Sequence, residues 1–587
     1  MHPRWRSLTL HCSTRRLCCT LLPFVIQHYR SFPSREFHSG ASRWQDGRVP
    51  LRKKLKDAAK AAKTASEAPS PRSADILDDW ELTVGIEIHA QLNAPRKLFS
   101  SAVTAPSTEP NSQVSAFDIA LPGSQPVFQR AVVLPALRAA LALGCTIEQI
   151  SHFDRKHYFY HDQPAGYQIT QYYHPFARNG AIVLNENDGL EQGRTVTVGI
   201  KQVQLEQDTA RTQEQDSTTV LMDFNRCGQA LIEIISLPNL HSPRDAAAYV
   251  RKVQAILYAV DAVTTGMEQG GLRADVNVSV RRRGEAGGGS AYGGVTGLGQ
   301  RTEIKNLSTF KGIEDAIRAE RDRQIKVLES GGTVEGETRG WSLTMPSETR
   351  RLRGKEGEVD YRYMPDPDIA PLHIDLGLVE WVKTRLPPTP DELINMLEMQ
   401  YGVSTADART LTSLDDGDRL IYFQEVVDEL ISLSIQTGTP SDFGQIAANW
   451  VLHELGALFA TDESSWSNWL VSSRALADLI YRLRANEITG ASAKHILKLL
   501  YHGDKRKLAE IIREEDLSYS EMTSDVYEAI AKEIIEKFPQ HVKDIVEKGK
   551  VGKIQFLMGQ MMRHERKSDM RAPEAEKALH RLLLGNE

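Results

Sequence analysis

Five short stretches place acids, amides, a histidine and basic groups at every second position. Side chains two apart share a strand face, so Leu82–Leu92 presents Glu87, His89 and Gln91 on one side. Val84, Ile86, Ile88, Ala90 and Leu92 take the other. Val196–Asp208 presents Gln202, Gln204, Glu206 and Asp208, and Arg273–Arg281 presents Arg273, Asp275, Asn277, Ser279 and Arg281. Arg301–Leu307 presents Arg301, Glu303 and Lys305, while Leu231–Ile235 sets Glu233 among aliphatics. One such row is what the solvated face of an antiparallel sheet looks like. Repeated rows of carboxylates, amides and Arg around one His read differently, because strands sharing a sheet would merge them into a charged floor. Hard oxygen donors such as Glu87, Glu206 and Asp208, with His89, can hold Mg²⁺ and the phosphates of a nucleotide. Arg273, Arg301 and Lys305 can meet phosphate or carboxylate charge. His89 alone would read as structural; its place two residues from Glu87 on the polar face makes it a ligand candidate.

A second cluster, Phe153–Tyr173, is dense in aromatic and basic residues around a Pro-Ala-Gly turn. Such residues suit stacking on bases or gripping a ribose-phosphate end, and equally a Tyr-rich core strand. In Val359–Pro371 the prolines stop regular structure and leave Asp360, Tyr361, Arg362 and Tyr363 on an irregular segment, fit to wall a site. Gly284–Gly299 holds eight Gly in 16 residues but lacks the Lys and Ser/Thr of a phosphate loop, so it is expected to be a floppy insertion. No Walker A sequence occurs.

The elements that must position these groups follow from periodicity. Trp80 to about Leu378 alternates in polarity between Gly, Pro and Asn turns, which predicts a β-rich body with a few helices. After Pro387 apolar residues recur at spacings of three and four, predicting helices at Asp391–Tyr401, Leu420–Thr437, Phe443–Phe459, Ser472–Ala485, Ser492–Leu500 and Ser524–Lys537, several with Ser or Asp at the start. The expected fold class is α+β. The expected divisions are a targeting segment over 1–45, a Lys/Ala/Ser-rich flexible basic linker over 46–78, a catalytic domain over 79–378, a helical domain over 388–510 and a helical tail over 511–587.

The 587 residues carry 71 Lys+Arg and 77 Asp+Glu, a net charge of −6, unevenly spread. Residues 1–75 hold 15 basic and 5 acidic groups, leaving 56 basic and 72 acidic groups for the rest. An acidic body argues against a large non-specific nucleic-acid binder but leaves room for a local basic patch. Lys548, Lys550, Lys553, Arg563, Arg566 and Lys567 supply one. Three of the five cysteines lie in the first 20 residues, and Cys145 and Cys227 are far apart, which makes neither a disulfide framework nor a metal motif. The first 45 residues hold seven Arg and one acid, the composition of a mitochondrial transit peptide. The rival, a secretory signal with Leu17–Ile26 as its core, is short and broken by Pro23. No apolar run is long enough to span a membrane.

Six stretches in order resemble one family, the B subunit of the aspartyl/glutamyl-tRNA amidotransferases: VGIEIHAQL at Val84–Leu92, FDRKHYFY at Phe153–Tyr160, DFNRCGQALIEII at Asp223–Ile235, EQGGLRADVNVSV at Glu268–Val280, RTEIKNLSTF at Arg301–Phe310 and KEGEVDYRYMPDPDIAPL at Lys355–Leu372. A weaker likeness extends to GKIQFLMGQMM at Gly552–Met562. The resemblance implies a cradle-like catalytic domain followed by an all-helical region. It implies ATP-dependent phosphorylation of the glutamyl carboxylate of Glu-tRNA(Gln), then amidation with ammonia from a partner amidase (A) subunit, with a small C subunit completing a heterotrimer in the mitochondrial matrix. By matching motif positions, Glu87, His89 and Glu206 become the metal and phosphate centre. Arg273 and Lys305 stabilise charge, and Asp208, Asp275 and Glu303 are cofactor-binding candidates. Tyr158, Tyr160, Tyr167 and Gln168 lie near the aminoacyl end, and Lys548, Lys550, Lys553 and Arg563 are tail contacts to tRNA. ATP and Mg²⁺ are expected; zinc is not, since Ser100, Ser101 and the 112–118 region lack the thiols some bacterial members carry. Gln207 stands where the family often has an acid, and Arg211 where it often has Lys. The alternatives are a non-catalytic tRNA-binding scaffold, separable by its indifference to ATP, and a metal-dependent hydrolase, for which no HExxH is present.

Overall fold

The computed structural model describes residue 77 and residues 79–585, apart from 105–108, 217, 285–289, 293–294, 355–360, 435–439, 463–470, 520–522, 548–550 and 564–569. The targeting segment expected at 1–45, nearly all of the linker expected at 46–78, and Lys548 and Lys550 lie outside those residues. The described chain divides into two units that meet in sequence at Pro390/Asp391.

In the first unit the alternating segments form one nine-stranded sheet. Its strands are β1 (Trp80–Gln91), β2 (Thr146–Ile147), β3 (Ala177–Leu184), β4 (Val196–Gln207), β5 (Ala230–Ser236), β6 (Leu272–Arg282), β7 (Thr302–Leu307), β8 (Glu337–Trp341) and β9 (Thr349–Gly354). Their order across the sheet is β9-β8-β7-β6-β1-β5-β4-β3-β2. Every neighbouring pair is antiparallel except β7 and β8. That parallel pair needs a crossover, and helix α3 (Phe310–Glu329) supplies it; α2 (Pro243–Ala259) likewise joins β5 to β6, and the shorter α1 (Val133–Ala142) precedes β2. Ser242 caps α2 by accepting from Asp245 N, with Pro243 at the first turn, and Thr309 caps α3 by accepting from Gly312 N.

The apolar rows face the helices. Val84, Ile86, Ile88 and Ala90 of β1, Ala274, Val276, Val278 and Val280 of β6 and Ile232 and Ile234 of β5 join Val250, Val253 and Leu257 of α2 and Ile313 and Ile317 of α3 in one buried core. Each fully buried aliphatic of this kind contributes about 1.5–3 kcal/mol by leaving water. This one-sided core is what frees the opposite face for chemistry. A buried acid sits on the helix side: Glu320 of α3 accepts from Thr302 Oγ1 (2.6 Å), Thr349 Oγ1 (2.6 Å), Gln324 Nε2 (2.9 Å) and Arg323, and lies 3.2 Å from Arg339 Nε. Burial pushes its carboxyl up, yet these donors together hold it below the usual range.

Away from the sheet, fully buried Lys97 donates to Asp118 Oδ2 (2.9 Å) and Phe224 O (3.1 Å), while Cys227 Sγ donates to Asp118 O (3.2 Å). The pair fastens the loop after β1 to the turn before β5. Within the Gly-rich insertion, expected to be floppy, Ser290–Tyr292 and Val295–Leu298 form a small antiparallel pair, while 285–289 and 293–294 lie outside the described residues.

The second unit is helical, and two buried clusters organise it, one drawn from Leu393 to Ile512 and one from Tyr527 to Leu579. The helix expected at Ser524–Lys537 forms with those bounds. Asp418–Leu433, Ser473–Arg484 and Gly490–Tyr501 differ from expectation by a few residues at each end; Thr489 rather than Ser492 caps the last of these. The stretch expected as one helix at Phe443–Phe459 widens into a π-helical turn at Trp450–Leu455, where Trp450, Val451, Leu452 and Leu455 are all buried. No helix among the described residues is long and apolar enough to cross a membrane.

Candidate active site

Strand register decides whether the polar rows meet. Glu87 pairs with Asp275 and His89 with Arg273 on one side of β1; on the other His89 pairs with Glu233, and Glu233 with Gln204. Leu231 pairs with Glu206, and Asn277 with Glu303. Directly opposed residues share a face, so the rows form one polar floor on the side away from α2 and α3.

At its centre His89, Glu206 and Glu233 bring one ligand atom each to within 4.8 Å of one another. His89 Nδ1 is 3.6 Å from Glu206 Oε1, and Lys156 Nζ is 3.7 Å from Glu206 Oε2. Gln168 donates to Glu206 Oε1 (2.9 Å) and Gln204 to Glu233 Oε2 (2.7 Å). Glu206 Oε2 is buried and accepts no hydrogen bond. Burial drives the Glu233 carboxyl well above the usual range, reinforced by Glu206 beside it. Burial presses on Glu206 too, but Lys156 and His89 overcome it and leave that carboxyl below its ordinary value. The environment thus pushes the two carboxyls apart, Glu206 toward the ionised form and Glu233 toward the protonated one. Burial lowers His89, giving a neutral imidazole with a lone pair to offer, and Glu206 holds Lys156 well above the usual ammonium range despite burial.

A second group flanks the first. Lys305 Nζ contacts Asp275 Oδ2 (2.8 Å) and Glu303 Oε1 (3.4 Å), and Asn306 N donates to Asp275 Oδ1 (2.9 Å). Burial opposes charge on both partners, but their mutual attraction lowers Asp275 and raises Lys305, so both are ionised. Arg273 donates to Asp208 Oδ1 (2.8 Å). Asn277 donates to Glu87 Oε1 (3.0 Å), which places the expected ligand Glu87 in the floor but outside the three-residue cluster.

A small three-stranded sheet covers the floor: Asp154–His157 pairs with Tyr167–Thr170 and with Met364–Pro365. Gln207, standing where an acid was expected, accepts from Ile169 N (3.1 Å) and so fastens this cover to β4. Arg155 anchors the far strand through Asp366 and Asp368, both at 2.7 Å, and lies over the Tyr167 ring at 4.4 Å. Between cover and floor lie two cavities, of about 690 and 770 Å³, sharing Glu87, Lys156, Glu233, Lys305 and Tyr361 as walls. The larger is lined by His89, Glu206, Asp208, Arg273 and Asp275, and by Tyr158, Tyr160 and Gln168. The smaller takes Glu303, Arg301 and a tyrosine group in which Tyr172 and Tyr363 stack at 4.0 Å. Tyr167, expected near a substrate, lines neither and serves as the platform for Arg155. Lys553 of the tail is paired with Asp544 (2.5 Å), and Arg563 is exposed.

Sequence reasoning noted Glu233 without assigning it to the metal centre, and missed Lys156 as a site residue. An acid inside the aliphatic run Leu231–Ile235 was the signal for the first; Lys156 gave none, since its role depends on a cover that only the fold brings over Glu206.

Residues 82–380 match the family model described as the GatB/GatE catalytic domain, and residues 436–581 the one described as the GatB domain. The chain is 56% identical over 542 residues to the mitochondrial glutamyl-tRNA(Gln) amidotransferase B subunit of Blastomyces gilchristii, covering 91% of this chain and 89% of that protein. The like-named protein of Talaromyces marneffei is 56% identical over 548 residues, 92% of each chain. That of Penicillium rubens is 52% identical over 576 residues, 97% of each. These likenesses favour neither a hydrolase nor a scaffold without chemistry.

Proposed function

The chain belongs to the GatB/GatE family of ATP-dependent amidotransferase subunits and serves the formation of Gln-tRNA(Gln) in mitochondria, and we propose that its polar sheet face is where the glutamyl carboxylate is activated. The observation that carries this reading is the cluster of His89, Glu206 and Glu233 beneath Lys156, with a buried Glu206 oxygen that accepts no hydrogen bond. An imidazole and two carboxyls suit a divalent cation such as Mg²⁺, and Glu206 Oε2 has a lone pair that no hydrogen bond uses. These three residues would hold the ion, which when bound supplies neutralisation of phosphate charge.

A carboxylate resists ammonia because its leaving group would be oxide. Transfer of the terminal phosphoryl group of ATP to a carboxylate oxygen releases ADP and creates a phosphate leaving group; ammonia then attacks the carbonyl carbon and phosphate departs. Lys305, held ionised by Asp275, and Arg273, held by Asp208, carry fixed positive charge into the same cavity and need no reorganisation to meet developing negative charge. Gln168 and Gln204 orient Glu206 and Glu233. Tyr158 and Tyr160 wall the larger cavity and are suited to the aminoacyl end, while the cover excludes water from an acyl phosphate that water would destroy. A partner amidase subunit supplies the ammonia, a third subunit completes the assembly, and the Arg-rich start of the chain directs import. Arg563 of the tail is suited to an RNA phosphate; Lys553 would first have to leave Asp544.

The test is conversion of Glu-tRNA(Gln) to Gln-tRNA(Gln) by the complex purified from mitochondria. Product should need ATP, a divalent cation and glutamine together, and Glu233→Gln or His89→Ala should abolish it without lowering the melting temperature. Full activity in either variant would overturn the site.

A further inference from the structure

A buried ion pair away from the sheet grips the turn before β5. Lys97 is fully buried and donates to Asp118 Oδ2 (2.9 Å) and to Phe224 O (3.1 Å). Asp118 is buried beside it; its Oδ2 also accepts from Ser115 N (2.9 Å), and its backbone oxygen accepts from Cys227 Sγ (3.2 Å). Leu98 N donates to Gly228 O (2.9 Å). The approach is close: Gly228 has φ +79°, and a Cβ there would stand 3.0 Å from Asp118 Oδ1, so glycine lets the turn come down onto the pair. The same turn also holds the end of β4. Gly228 N donates to Asp208 O (2.8 Å), Asp208 N to Gln229 O (2.9 Å) and Arg226 Nε to Thr209 O (2.9 Å). Asp208 in turn accepts from Arg273 (2.8 Å). Directional contacts thus lead from the ion pair through the turn to Asp208 and Arg273. Apolar residues of similar volume often replace a buried ion pair with no loss of stability, so stability alone does not account for this one. Bonds to fixed carbonyls set position, which apolar packing does less sharply.

We propose that Lys97 and Asp118 are positioning residues for the reaction, holding the turn Phe224–Gln229 so that Asp208 keeps Arg273 where its charge meets the transition state. The proposal rests on the role given to Arg273 above. Neither residue lines a cavity, so both act through Asp208. A displacement of about 1 Å in a group that stabilises charge costs about a hundredfold in rate, which makes such a hold worth its buried charges.

The experiment uses the assembled enzyme with the double variant Lys97→Met/Asp118→Leu, which removes both charges together, and with Cys227→Ala and Cys227→Ser. It reads melting temperature, hydrogen exchange of the peptides holding the Asp208 and Gly228 amides, and kcat and KM for Gln-tRNA(Gln) formation. The double variant should keep most of the wild-type melting temperature and exchange those amides about tenfold faster. Its kcat should fall about ten- to a hundredfold with KM for Glu-tRNA(Gln) little changed, as loss of an interaction made in the transition state requires. Adding Asp208→Asn to it should cost little more, because the pair and Asp208 act in one line. Cys227→Ala should lower kcat about two- to fivefold and Cys227→Ser should restore it; if the double variant fails to fold, this comparison decides. Wild-type exchange or wild-type kcat in a folded double variant overturns the proposal, and so does an Asp208→Asn loss that multiplies in full with that of the double variant. Were Asp208→Asn alone to keep wild-type kcat while exchange still quickened in the double variant, the hold on the turn would stand and the role given to Arg273 would fail.

Discussion

Replacing Lys156 by Met should move the pH dependence of the reaction to higher pH. Glu206 is buried, its Oε2 has no hydrogen bond, and the ammonium 3.7 Å away is the largest influence keeping it ionised against burial. At that separation and an effective dielectric of about 20, the attraction is about 4 kcal/mol before neighbours relax. Removing the cation therefore raises the Glu206 carboxyl, and the raised group is ionised only at higher pH. The reaction needs the carboxylate as a ligand, so the variant should be nearly inactive near neutrality and recover as pH rises, while Lys156→Arg should keep the wild-type profile. The assay is kcat for ATP-dependent Gln-tRNA(Gln) formation at a series of pH values. A Lys156→Met enzyme slower at every pH by one constant factor would refute the electrostatic role and leave Lys156 a packing residue.

Glu320→Gln should cost about 3–5 kcal/mol near neutrality, because Arg323 and Arg339 lose their buried counter-charge. The Glu320 carboxyl is depressed in the fold, so its contribution is present above the ordinary carboxylate range and lost as pH falls through the depressed value; chemical denaturation between neutral and acid pH should show a flatter acid limb in the variant. Lys97→Met should destabilise by about 3–5 kcal/mol by stranding Asp118 in the core, and the double variant Lys97→Met/Asp118→Leu should recover much of that in a melting experiment. Gln207→Leu should leave the Ile169 N–H unpaired, lowering the melting temperature by an amount matching about 1–3 kcal/mol, whereas Gln207→Glu keeps an acceptor there and should melt close to wild type.

Much of the sheet was legible because its core is one-sided. The helices cover only one face, so β1, β6 and β7 alternate, and the alternation puts Glu87 and His89, Asp275, and Glu303 and Lys305 on the polar faces of their own strands; the register then joins these faces. The metal-type cluster was only partly legible. Glu206 and His89 come from strands separated by β5, and Glu233 of that middle strand completes the set. Periodicity shows which face a residue takes, not which strand lies between two others; that depends on the long connections that bring β5 back beside β1. The cover was the least legible part. Lys156 sits on the short strand Asp154–His157 and Tyr361 on the turn before Met364–Pro365, and the bond from His157 N to Tyr361 O at 2.8 Å joins residues some two hundred positions apart. The π-helical turn at Trp450–Leu455 shares the apolar spacing of an ordinary helix, so its sequence gives no separate sign.

The most direct test of the account is ADP release by the assembled enzyme in the presence of Glu-tRNA(Gln), comparing wild type with Glu206→Gln and Glu233→Gln. Both variants preserve side-chain shape and remove a carboxyl from the cluster. The account predicts tRNA-dependent ADP release in the wild type and its loss in both variants, each still folded at the assay temperature. ADP release at the wild-type rate from either folded variant would contradict it and place phosphoryl transfer elsewhere.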